Sequence, residues 1–189
     1  MKVLLKRTLV LLAVLVVLAA CALAAGVLWP ERLPEVPPAA GILVIENVGK
    51  RQVKSPKVFL RDTGILHALL QVESLSDLQA HPKLGASWEG FALEQVVGLL
   101  ETRDTYFWAT HGGAELDLLV TLGGKRYGFE FKYQDAPGRT RSMMIAREDL
   151  GLEKMWVVYP GSKQYALDAW IDVIPLPSIP RLAGELGRG

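Results

Sequence analysis

The stretch that decides the fold is Ala114–Tyr133, AELDLLVTLGGKRYGFEFKY. Its second half alternates cleanly as an extended chain. Tyr127, Phe129, Phe131 and Tyr133 take one side, and Gly128, Glu130 and Lys132 take the other. The first half alternates only as far as Glu115 and Asp117, which share a face, before it becomes wholly apolar. Gly123-Gly124 between the halves is a two-residue hairpin signal, because glycine accepts the positive φ of such tight turns. The hairpin brings Asp117 towards Glu130, since facing residues on paired strands lie within about 5 Å. The aromatic side reads as the buried one, which leaves Glu130 and Lys132 together on the less apolar side. Two carboxylates at that range repel unless a positive charge separates them. Magnesium suits that position, because it takes oxygen from one or two carboxylates and keeps several waters. Lys132 would then orient a water or neutralise charge growing on a phosphate. A surface ion-pair ladder, with Lys132 answering Glu130, is the alternative reading of the same residues.

Upstream of this hairpin, Trp88, Phe91, Ala92, Val96, Leu99 and Leu100 recur at three- and four-residue spacing, which predicts a long helix over 85–102. Glu89 near its start offers a third carboxylate to the metal; the alternative is a helix-start charge favoured by the macrodipole. Thr105–Ala109 reads as a strand, Arg139–Leu150 as a helix ending at Gly151, and Lys154–Tyr159 as a strand closed by Pro160-Gly161. The order from Gly85 is therefore α-β-β-β-α-β, a mixed α/β core over 85–175 with helices on a small sheet. The end of the chain, with Pro175, Pro177 and Pro180, adds at most one edge strand near Ile171–Ile174, and 176–189 is a tail. Ahead of the core, 41–84 is a basic segment with a short strand at Val58–Leu60 and two short helices. The first is capped by Asp62-Thr63-Gly64 and the second spans Leu75–Ala80. Lys54, Lys57 and Arg61 in this segment are candidate phosphate contacts to DNA, against the plainer reading of a solvated basic stretch.

The chain has 189 residues, half of them hydrophobic and 22% charged, which allows one ordinary domain and excludes wholesale disorder. The apolar residues are unevenly spread. Leu9 to Trp29 carries no charge and follows Lys2, Lys6 and Arg7. As a helix this run would be roughly 32 Å long, close to a bilayer's hydrocarbon thickness. Residues 1–29 thus read as a single-pass membrane helix or a signal sequence, a lipoprotein signal ending at Leu18-Ala19-Ala20-Cys21 being a further form. Localisation follows that choice: membrane-anchored, or secreted or lipid-linked, or cytoplasmic if the N-terminus is wrongly assigned. Residues 30–40, with four prolines, form a linker. A net charge of +1 excludes a strongly basic nucleic-acid glove, and one cysteine excludes a disulfide framework.

Asp117 followed by Glu130-Phe131-Lys132, with Glu89 upstream on a helix and an α-β-β-β-α-β order, resembles the PD-(D/E)XK nuclease superfamily. A longer series resembles the uncharacterised domain that follows the P-loop domain in many prokaryotic AAA-type ATPases. It comprises Lys54–Leu60 (KSPKVFL), Asp62–Leu66 (DTGIL), Gly85–Phe91 (GASWEGF), Phe107-Trp108, His111–Leu118 (HGGAELDL), Phe129–Lys132 (FEFK) and Trp156–Gly161 (WVVYPG). The resemblance implies a restriction-endonuclease-like fold. It also implies a site with Asp117, Glu130 and Lys132 as catalytic residues and Asp117, Glu130 and Glu89 as magnesium ligands. The chain departs from that family in lacking G-x-x-x-x-G-K-[S/T], so ATP is not expected as a ligand. Ala109 also stands where the family often has arginine. Two functions follow as expectations: magnesium-dependent cleavage of DNA, or a non-catalytic module docking DNA or a protein such as an ATPase, tethered to the membrane or exported.

Overall fold

The computed structural model describes residues 42–47, 57–102 and 104–187, all within the compact unit Pro38–Gly189. The expected membrane helix or signal at 1–29, the linker at 30–40 and Lys54 lie outside the described residues. Among the described residues no helix is long and apolar enough to cross a membrane.

In chain order the strands are β1 (Ile42–Asn47), β2 (Lys57–Leu60), β3 (Thr105–Ala109), β4 (Glu115–Leu122), β5 (Lys125–Phe131), β6 (Lys154–Tyr159), β7 (Tyr165–Asp168) and β8 (Ile171–Pro175). The helices are α1 (Thr63–Leu69), α2 (Leu75–Ala80), α3 (Leu84–Leu100), α4 (Arg141–Leu150) and α5 (Ile179–Leu186). One mixed sheet runs β2-β1-β3-β4-β5-β6-β8-β7. The α-β-β-β-α-β order expected from Gly85 is present as α3-β3-β4-β5-α4-β6. The small sheet of the expectation is larger, because β1 joins β3 in parallel and β8 joins β6 in parallel.

Local chemistry sets the ends of these elements. Leu122 faces Lys125 across Gly123-Gly124, whose φ angles of 56° and 76° are both positive, as a type I′ turn requires. The Asp62 carboxylate accepts the amides of Gly64 and Ile65 at the start of α1, and the Thr140 hydroxyl accepts the amide of Met143 at the start of α4.

Two readings need correction. The tail is not bare, since α5 lies there and packs on α3, and β7 rather than β8 forms the sheet edge. Proline at the second position of α5 fits the first turn of a helix, where its missing amide is not needed. The buried face of α3 is also rotated from the expected stripe. Gly90, Ala92, Leu93 and Val96 face inward, whereas Phe91 and Leu99 are exposed.

Apolar cores cover both faces of the sheet. Under α4, Met143, Ala146 and Leu150 pack with Trp108, Leu116, Met155, Val157 and Val173. Under α3, Ala92, Leu93 and Val96 pack with Phe107, Leu118, Phe129, Phe131 and Val158. Strand β5 is therefore covered on both sides. Glu130 is only 4% exposed, so the expected division of β5 into a buried and a less apolar face does not hold. Tyr133, placed on the buried side by alternation, is largely exposed, because the strand ends at Phe131.

Candidate functional site

The site forms where β4 and β5 part. Their paired register runs from Leu122 opposite Lys125 to Leu118 opposite Phe129. Just beyond it, the Asp117 carboxylate takes the place of a ladder carbonyl: its Oδ2 accepts the Phe131 amide at 3.0 Å. A β-bulge aims Asp117 there. Phe107 alone stands between Tyr106 and Trp108 on β3, while Asp117 and Leu118 stand between the partners Leu119 and Leu116 on β4. The extra residue explains why Leu116 packs under α4 and Leu118 under α3, although they are two positions apart.

Lys132 follows β5 and places its Nζ 2.8 Å from Glu130 and 3.8 Å from Asp117. The three residues singled out on the hairpin thus come together, with Asp117 and Glu130 buried and Lys132 partly exposed beside them. Glu89 on α3 joins them through a residue read otherwise. The Nζ of Lys57, from β2, lies 3.1 Å from Glu89, 2.5 Å from Glu115 and 3.3 Å from Asp117. It also sits 5.8 Å from the centre of the Phe107 ring. Asp117 bridges two ionic groups, with Oδ1 towards Lys57 and Oδ2 towards Phe131 and Lys132.

In sequence, Lys57 and Arg61 read as candidate phosphate contacts or as part of a solvated basic stretch. Both point at α3, because they share a face with Phe59. Lys57 pairs with Glu89, Phe59 packs against Gly90, and Arg61 Nε donates to Glu94 at 2.7 Å. A Cβ on Gly90 would meet the Phe59 ring at 3.3 Å, so the glycine admits this close approach. That alternation was the signal available for Lys57: a lysine two residues from a core phenylalanine on a strand shares its inward face. Glu115, expected to share a face with Asp117, keeps half of its side chain exposed while its tip reaches Lys57.

Four carboxylates (Glu89, Glu115, Asp117 and Glu130) face two ammonium groups. Burial, then the neighbouring Asp117 charge, pushes the Glu130 carboxyl up to about 8, against the pull of Lys132. Burial and Asp117 likewise raise Glu89, with Lys57 opposing. Burial alone would lower both ammonium groups, but the carboxylates outweigh it. Asp117 and Glu89 lead for Lys57, and Glu130 and Asp117 for Lys132, so both are held above the ordinary lysine value. Among the described residues no group of three histidine, cysteine, aspartate or glutamate side chains is arranged to hold a metal ion. Glu89, Glu115 and Asp117 converge on the Lys57 ammonium group, and Asp117 and Glu130 on that of Lys132.

A family model described as a domain of unknown function, DUF4143, matches residues 84–179, from α3 to the start of α5. Uncharacterized proteins of Mycobacterium bovis and Mycobacterium tuberculosis are each 47% identical to this chain over 133 residues. The match covers 70% of this chain, which spans only 30% of the length of those relatives. No solved structure matches.

Proposed function

The chain belongs to the DUF4143 family, and from its site we propose that it is a magnesium-dependent phosphodiester hydrolase of the PD-(D/E)XK kind acting on DNA. The observation that carries this reading is the meeting of buried Asp117 and Glu130 with the partly exposed Lys132 at the open end of one hairpin. The order α3-β3-β4-β5-α4-β6 supports the restriction-endonuclease-like fold that the reading needs.

The donor set fits a hard divalent ion. Every candidate ligand is a carboxylate oxygen, and burial together with the Asp117 charge keeps a proton on Glu130 near neutral pH. Asp117 and Glu130 would hold the ion, with Glu89 as a third oxygen source. When bound, magnesium would polarise the phosphoryl group and make a coordinated water more acidic. Asp117 is held in place by the Phe131 amide. Lys132 keeps its proton and lies against both carboxylates, where it can neutralise charge on a phosphate oxygen or orient a water.

The test is incubation of the full chain with magnesium and plasmid or branched DNA. Asp117→Asn and Lys132→Ala are each expected to lower cleavage at least about a hundredfold, the scale of losing one electrostatic contact to the transition state. Cleavage unaltered by both substitutions would falsify the reading.

One observation favours a second reading. Lys57 already supplies a cation to Glu89, Glu115 and Asp117, as expected of a non-catalytic module that docks DNA or a protein. The length that the mycobacterial relatives have beyond this match leaves room for such a protein partner, an AAA-type ATPase being the one that the resemblance suggests. Calorimetry separates the two: the folded chain gives no heat with millimolar magnesium if it is a docking module.

A further inference from the structure

Lys57 comes from a strand edge distant in sequence from the hairpin, yet its ammonium makes closer contacts to the acidic cluster than Lys132 makes to Asp117. It touches Glu89 and Asp117, two of the three carboxylates that the hydrolase reading gives to the metal, and adds Glu115. An ammonium group and a hard divalent ion recognise the same feature, converging carboxylate oxygens, so they cannot both hold these tips at full strength. Lys57 can give way without unfolding its strand. Its backbone is fixed in the β1–β2 ladder opposite Ile45, while the charge rides on a four-carbon stem whose side chain is 22% exposed.

We propose that Lys57 is the site's resident counter-ion, and that divalent metal competes with it for Glu89, Glu115 and Asp117, releasing the ammonium towards an incoming phosphate group. This inference rests on the metal-site reading above. It gives Lys57 two successive partners, carboxylates in the metal-free protein and phosphate in the loaded one. The phosphate contact expected of this lysine then follows after metal entry rather than in its absence. It makes Lys57 a positioning residue, acting through the carboxylates and the phosphate rather than on the reacting bond.

The experiment is calorimetric titration of the full chain with magnesium and with manganese, comparing wild type, Lys57→Met and Lys57→Arg, each checked for folding by circular dichroism. Lys57→Met is expected to bind metal at least about tenfold more tightly than wild type, equivalent to about 1.4 kcal/mol. Lys57→Arg, which keeps the charge, is expected to bind no more tightly than wild type. Equal affinity in wild type and Lys57→Met overturns the inference and leaves the metal site standing. Absence of binding in folded wild type and folded Lys57→Met overturns the metal site and the inference with it. If Lys57→Met does not fold, labelled lysines in wild type decide. With lysines labelled at the ε-carbon, saturating magnesium should shift the Lys57 resonance, and an unmoved Lys57 signal in magnesium-bound protein overturns the exchange.

Discussion

The β4–β5 hairpin has two ends built on opposite principles. Its closed end is local: two glycines with positive φ, a two-residue loop and a regular ladder from Leu122 opposite Lys125 inward. The ion pair beside it, Lys125 with Glu153, has more than half of each side chain in solvent. Its open end is assembled from afar. A bulge, a carboxylate in a ladder position, a lysine from β2 and a glutamate from α3 meet there, with Asp117 and Glu130 almost fully buried. One end needs only the residues in the turn. The other needs the sheet and α3 to be in place first, and concentrates like charge that the rest of the interior avoids.

The largest expected difference between the ends appears when each loses its lysine. Lys57→Met removes the cation shared by three carboxylates and leaves Asp117 buried beside Glu130. Breaking a buried pair costs about 3–5 kcal/mol; partial exposure of Lys57 puts this case near about 3 kcal/mol. Lys125→Ala at the closed end should fall within about 0.5 kcal/mol of wild type. Urea unfolding at pH 7 measures both, and equal costs would erase the contrast.

A smaller effect per unit of measurement comes from pH. The Glu130 carboxyl titrates near 8 in the folded chain against an ordinary value of 4.5. Between those values the folded state holds a proton that the unfolded state has released, so stability falls as pH rises through this window. It levels off below about 4.5 and above about 8. Compared with Glu130→Gln, which cannot titrate, wild type should lose up to about 1.4 kcal/mol per pH unit across the window. Stability curves at several pH values give the difference, and a flat one would mean that Glu130 is ionised throughout. The raised values of Lys57 and Lys132 give a stabilisation that stays constant across this window and is lost only as pH rises beyond the ordinary lysine range.

Sequence made the closed end and the core order readable because both depend on near neighbours. Glycine pairs, alternation and capping residues such as Asp62 act over a few positions. Asp117 and Glu130 could be paired by counting from the turn, although that count does not include the bulge that aims Asp117. What alternation missed has one cause. Period two tells which residues share a face, not whether the face is covered. Strand β5 was read as one-sided, yet α3 and α4 cover both of its sides. Lys57 and Arg61 were read as solvent-facing, yet their side of β2 docks on Glu89, Gly90 and Glu94 of α3. The helix α5 escaped notice because three prolines near it suggested irregular chain, whereas one of them occupies a first-turn position.

The smallest expected effect tests whether the closed end really acts alone. Gly123 and Gly124 both have positive φ, and Asn-Gly is the pair that a type I′ turn favours. Gly123→Asn should therefore stabilise the chain by about 0.5 kcal/mol, because asparagine tolerates that conformation and narrows the unfolded ensemble. Gly124→Ala should destabilise by about 1 kcal/mol; no heavy atom lies within 4 Å of a Cβ built there, so the cost is conformational alone. Neither change alters the register in which Asp117 approaches Glu130, so magnesium affinity should match wild type in both. A Gly123→Asn chain that gains stability and keeps its metal affinity would mean that the turn fixes only pairing. If it gains stability but loses affinity, strain passes along the ladder to the open end, and the two ends must be treated as one cooperative unit.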